Sequence, residues 1–241
     1  ASRNREDSLT MYLREFELSP FMLFAERMGY NVKGRANGAA SIKAALDRGE
    51  ITADVKIDSM TVNETGVAPL HIVSRWDLEQ QRIQVEMNNA RTGGNVVQGY
   101  YDPTTKRYYA DGNFQNLPLS MLDPVLRTVV SQTAGRADAR LNIAGEGRAA
   151  KLNGEVKVAD LSTMVDFTRA RYSVESATVR VENNHFIANN VRVSDTEQNS
   201  GTFTMDLSLD HLSNIAYNMR VVPRNMIVLN TTAQDNDLFY G

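Results

Sequence analysis

The chain has 241 residues, with 26 Lys and Arg against 29 Asp and Glu, for a net charge of −3. At 42% hydrophobic and 23% charged it is too apolar to stay disordered, and it is long enough to bury a core as one or two domains. The slight acidity argues against a nucleic-acid surface, and apolar runs of a few residues are too short for a spanning helix. Zero cysteines removes disulfides, thiol nucleophiles, thiolate zinc sites and iron–sulfur clusters, and it fits an oxidising compartment.

The first element expected is a short amphipathic helix over 19–29. Ser19 suits an N-cap, Pro20 the first turn and Gly29 the stop, with Phe21, Phe24, Ala25 and Met28 on one face. Strands follow. Ile51, Ala53, Val55 and Ile57 alternate with Thr52, Asp54, Lys56 and Asp58. Leu70, Ile72, Trp76 and Leu78 keep period two with one lapse at Ser74, and Ile83, Val85 and Met87 repeat it. A second helix is expected from Asp123-Pro124 to just before Gly135, carrying Val125, Leu126, Val129 and Val130. Beyond it, Ala177, Val179 and Val181 alternate with polar residues, as do Phe203, Met205, Leu207 and Leu209, and then Ile215, Tyr217, Met219 and Val221. Turn residues at 102–106, 183–185 and 210–214 make the connections short, so the expectation is a mainly β chain of antiparallel strands in meander order.

An internal repeat runs through this pattern. Gly34-Arg35-Ala36 recurs as Gly135-Arg136-Ala137, an offset of 135 − 34 = 101, and at that offset Ile42 meets Ile143 and Val55-Lys56 meets Val156-Lys157. The expected organisation is a helix-plus-strands unit over 1–111 and a second over 112–241. The opening Ala1-Ser2-Arg3-Asn4, without an initiator Met or a secretory apolar region, and the abrupt close at Phe239-Tyr240-Gly241 read as the cut ends of a longer protein.

The closing stretch, Val222-Pro223-Arg224-Asn225-Met226-Ile227-Val228-Leu229-Asn230-Thr231-Thr232 with Asp235-Asn236-Asp237-Leu238-Phe239-Tyr240-Gly241, resembles the signature of TamB translocation and assembly module domains. The repeated strands are similar in style to AsmA-like envelope proteins. The resemblance implies an elongated sheet curled into a U-shaped trough with an apolar lining. It implies a periplasmic, non-enzymatic role in a diderm bacterium: shielding phospholipid acyl chains between inner and outer membranes, or supporting outer-membrane protein assembly. The partners it implies are phospholipid, an inner membrane reached through an N-terminal anchor, and an outer-membrane β-barrel met through a C-terminal region. Neither of those regions is in this chain, and no cofactor, metal or nucleic acid is implied.

On that reading the lipid-groove candidates are Val55, Ile57, Ile72, Val85, Val179, Val181, Phe203, Met205, Leu207, Ile215, Tyr217 and Met219. Plain sandwich core is the other reading of the same residues. The ten methionines fit an adaptable lining or scattered core filling.

Other chemistry is thin. Ser208, Asp210 and His211 form a turn rather than a triad, because alternation puts Ser208 and Asp210 on a polar strand face. Asp235, Asn236 and Asp237 lack the further oxygen ligands of a calcium loop. Gly93-Gly94 and Gly145-Glu146-Gly147 lack the Gly-Lys-Ser/Thr of a phosphate loop and read as turns or bulges, Trp76 as core and Asp123 as a helix cap. The rivals to a lipid trough are a structural or adhesive β-repeat domain, and last a carbohydrate-active enzyme on a β-solenoid.

Overall fold

The structure is a computed structural model that describes residues 8–18, 30–43, 50–126, 129–147, 149–210 and 214–232. Fourteen strands form one sheet: β1 (Ser8–Glu17), β2 (Val32–Lys43), β3 (Glu50–Val62), β4 (Thr65–Val67), β5 (Leu70–Asp77), β6 (Arg82–Asn89), β7 (Asn95–Tyr101), β8 (Arg107–Pro118), β9 (Val130–Glu146), β10 (Ala149–Val165), β11 (Ala170–Glu182), β12 (His185–Ser194), β13 (Ser200–Asp210) and β14 (Asn214–Val222). Hydrogen-bonded neighbours follow chain order from β1 to β14, except that β4 is a short spur on β3 and β5 takes the next place. This is the meander expected from the short turns, with antiparallel registers.

The second helix is a correction. The stretch 19–29 lies outside the described residues. The expected helix after Asp123 is only a 3-10 turn over Leu119–Leu122 and one α-helical turn over Asp123–Leu126. From Val130 the chain is already strand β9, because Val130, Thr133 and the small residues around them enter the ladder beside β10. Asp123 stands within the helical turn rather than ahead of it, and its Oδ1 is buried without a hydrogen-bond partner.

The chain packs as two units, one of residues 1–113 with 142–151 and the other of 114–141 with 152–241. In the first unit Ala36, Ile57 and Leu70 form a buried cluster, with Leu13, Phe16, Leu18, Val55, Met60, Ile72 and Met87 packed against it. Ala36 stands opposite Ile57, and Ile57 opposite Leu70, so the cluster is one row across three strands. In the second unit Val174, Val193 and Met226 are buried, supported by Leu161, Tyr172, Ala177, Val191 and Phe203. Each such side chain larger than alanine contributes about 1.5–3 kcal/mol when fully buried.

Bulges keep these faces apolar. At Glu15 (φ 46°) the β1–β2 register slips between Leu13 and Phe16, and the Glu15 N–H donates to Asn37 Oδ1 at 2.8 Å. In the second unit the N–H of Asn116 (φ 54°) donates to Asp138 Oδ1, also at 2.8 Å. The two pairs are related by the repeat offset: 116 − 15 = 101 and 138 − 37 = 101. The same offset carries Gly34, whose missing Cβ would lie 2.8 Å from the Ser59 carbonyl, onto Gly135, whose Cβ would lie 2.7 Å from that of Asp160. A side chain at either glycine would push the paired backbone away.

Candidate functional site

The first unit carries four of the groove candidates, and strand register places them on one face. Val55 pairs with Ile72 and Ile72 with Met87, while Ile57 pairs with Leu70 and Ser74 with Val85. Directly opposed residues of an antiparallel ladder point to the same side. The row from Gly38 through Val55, Ile72 and Met87 to Val97 therefore lines one face across five strands. Trp76, paired with Ile83, takes the same side of β5 and is half-buried rather than sealed in the core. The opposite face is polar, with His71 Nε2 lying 2.8 Å from Asp54 Oδ1 and Arg82 4.1 Å over the Tyr100 ring. A depression of about 230 Å3 beside β5 and β6 is lined by Val73, Arg75, Trp76, Asp77, Gln84 and Glu86.

The second unit holds the other eight. Val181 stands opposite Phe186, Phe186 opposite Leu207, and Leu207 opposite Tyr217. Val179 lies two residues before Val181 and pairs with Val156. Ala188, Met205 and Met219 form the next row, and Phe203 pairs with Val191 and Val221. Ile215 holds the register position opposite Leu209. The Asn190 bulge (φ 51°), whose N–H donates to Thr204 Oγ1 at 3.3 Å, shifts the register so that Ala188 and Val191 share a side. The sheet thus brings the candidates of each unit to one face.

Exposure divides them. Ile57 and Val181 are buried, whereas Val55, Ile72, Val85, Val179, Phe203, Met205 and Leu207 are half-buried. Tyr217 is 61% exposed and Met219 40%. In the first unit the edge strand β1 leaves Leu9 70% and Met11 54% exposed. Each apolar face is therefore closed in places and open along its edge strand.

Sequence reasoning singled out the segment after β14 for its resemblance but missed how it packs. From Pro223 it leaves the ladder and lies against β11, β12 and β13. Met226 is buried on Val174 and Val193. The Ile227 N–H donates to Asp195 Oδ2 at 2.8 Å, Tyr172 Oη donates to the Ile227 carbonyl at 2.9 Å, and the Asn230 N–H donates to the Thr168 carbonyl at 2.8 Å. Gly201 makes room: a Cβ there would meet the Val222 carbonyl at 2.4 Å and Met226 Sδ at 2.7 Å. Asp195 is 3% exposed, and its Oδ1 also accepts the N–H groups of Glu197 and Asn199, each at 2.9 Å. Burial works against its charge, but the donors Ile227, Asn199 and Glu197 outweigh that and hold the carboxyl below the usual carboxylate range. The signal was present as an Asx-turn sequence, Asp195-Thr196-Glu197-Gln198-Asn199.

Among the described residues no group of three His, Asp or Glu is placed to hold a metal ion. Ser208 Oγ donates to the Ala216 carbonyl at 3.5 Å, while His211 and the Asp235–Asp237 stretch lie outside the described residues. His185 Nδ1 lies 2.9 Å from Asp206 Oδ1, a cross-strand pair that sequence adjacency does not reveal. No protein-family model, curated protein or solved structure matches the chain.

Proposed function

We propose that this chain is a non-enzymatic segment of a TamB-like envelope protein, located in the periplasm, whose apolar sheet face shields phospholipid acyl chains. The observation that carries the reading is an apolar row, Val181–Phe186–Leu207–Tyr217, that begins buried and ends open to solvent at β14. A methylene moved from water onto such a face gains about 0.8 kcal/mol, so an acyl chain of about sixteen carbons gains on the order of 10 kcal/mol before ordering costs. Neighbouring rows are chemically alike, which lets a chain slide, and the headgroup stays in water. A curled trough is the form of sheet that serves this best.

The test is native mass spectrometry of detergent-free protein, followed by solvent extraction and lipid analysis. Bound phospholipid, lost in a folded Leu207→Asp variant, is the expected result. A clean apo mass with no uptake from phospholipid vesicles overturns the reading and leaves a structural or adhesive β-repeat module.

A further inference from the structure

We propose that residues 223–232 are a latch over one end of the second unit's apolar face, and that its release opens that end to an acyl chain. The inference rests on the lipid-shielding reading above and assigns that site its regulation.

The latch lies on the sheet rather than within it. It adds no strand to the ladder, and Pro223, Arg224, Asn225, Val228 and Asn230 are exposed. Met226 and Thr231 are its buried side chains, Ile227 and Leu229 are half-buried, and its hydrogen bonds include those from Ile227 to Asp195, from Tyr172 to Ile227 and from Asn230 to Thr168. Segments with few buried apolar contacts and no ladder bonds occupy the low end of local stability and open before the sheet does. The sheet is nevertheless shaped for the segment. Gly201 leaves the space in which Met226 Sδ sits, and the almost sealed Asp195 turns a carboxylate oxygen to the Ile227 N–H.

Its position links it to the site. Gly201 pairs with Val193, and Phe203 with Val191, so Met226 lies on the same face as Phe203, Met205 and Leu207. An unbranched thioether on Val174 and Val193 occupies that surface as a short alkyl chain would. With the latch closed, acyl contact is limited to the Leu207 and Tyr217 end. With it open, Val174, Val193 and Phe203 become available.

The experiment uses the full chain and palmitic acid carrying a photoreactive diazirine at its terminal carbon. Crosslinked residues are mapped by mass spectrometry, and latch opening is read separately from the amide exchange of Asn230 in every protein and of Ile227 where that residue is kept. Two variants open the latch: Asp195→Asn, which removes the charged acceptor, and Ile227→Pro, which removes the donor and leaves the 195–199 turn intact. Expected is label confined to the Leu207 and Tyr217 end in the wild type, spreading to Val174, Val193 and Phe203 in both variants as the amides lose protection. Lost protection with an unchanged labelling pattern overturns the latch while the lipid reading stands. Lost protection with no label anywhere, wild type included, overturns the lipid reading itself. Retained protection in both variants overturns the anchoring by Asp195 and Ile227.

Discussion

The carboxylate of Asp195 accepts the backbone N–H of Ile227 at 2.8 Å and so ties the turn after β12 to a segment beyond β14. The bond spans 32 residues of sequence, and its acceptor is nearly sealed from solvent. A depressed folded-state value means that the contribution of Asp195 is complete above its unfolded value, near about 4, and is lost as pH falls through the folded value. The amide resonances of Ile227 and Asn230 are therefore expected to move in acid, below about pH 4, in a titration followed by NMR. Tyr172, raised by burial and then by the Asp195 charge, stays protonated through neutral pH and keeps donating to Ile227. In Asp195→Asn the acid step at these amides disappears. A wild-type titration with no such step places the anchor elsewhere.

Gly201 supplies the steric half of that arrangement. Gly201→Ala is expected to cost about 1–3 kcal/mol in urea unfolding, because the new methyl meets the Val222 carbonyl and Met226 Sδ, both under 3.0 Å. Gly66, with nothing within 4 Å of its would-be Cβ, is the control, and Gly66→Ala is expected within about 0.5 kcal/mol of wild type. Equal effects at the two positions refute a cradle for Met226.

The repeated bulge allows a paired test. Asn37→Ala and Asp138→Ala each remove the oxygen that accepts a bulge N–H, from Glu15 in one unit and Asn116 in the other. Each is expected to cost about 0.5–1.5 kcal/mol, with most of the loss restored in Asp138→Asn, which keeps an oxygen acceptor, but not in Asn37→Asp, which sets a carboxylate against Glu15 and Asp58 where the Asn37 amide donates. The arginines of the repeat find different partners. Arg35 pairs with Glu15 at 3.1 Å, whereas Arg136, whose repeat counterpart of Glu15 is the neutral Asn116, pairs with Asp160 at 3.0 Å. Removing Glu15 should therefore release Arg35, while Asn116→Ala leaves Arg136 paired.

The strands that strict alternation marks, at 51–57, 70–78, 83–87, 177–182, 203–209 and 215–221, all lie within or end one residue past observed strands. Strands β1 and β12 escaped because the bulges at Glu15 and Asn190 break their period. Strand β2 escaped because Gly34, Ala36, Gly38 and Ala40 pack closely without a large apolar side chain. In β9, Ala137, Ala139, Leu141 and Ile143 do alternate with Asp138, Arg140 and Asn142, a signal weakened by alanine. The candidate faces were legible because period two fixes sidedness. The Asp195–Ile227 anchor was not, since it joins a turn to a distant segment with no strand pairing.

The row Val181–Phe186–Leu207–Tyr217 separates core from groove within one set of paired positions. Val181 is 1% exposed, so Val181→Asp buries a carboxylate among apolar neighbours, at several kcal/mol against a domain stability of about 5–15 kcal/mol. That variant is expected to unfold, and Val181→Ala to cost about 2 kcal/mol. Tyr217, 61% exposed at the other end, tolerates a carboxylate in water, so Tyr217→Asp keeps the wild-type melting curve. It puts a charge where the acyl chain would lie, and binding of the palmitic acid probe is expected to fall. Circular dichroism melts and photolabelling on the same preparations separate the two effects. If Tyr217→Asp labels as the wild type does, the open end of the row is plain surface and the acyl chain, if bound, lies elsewhere.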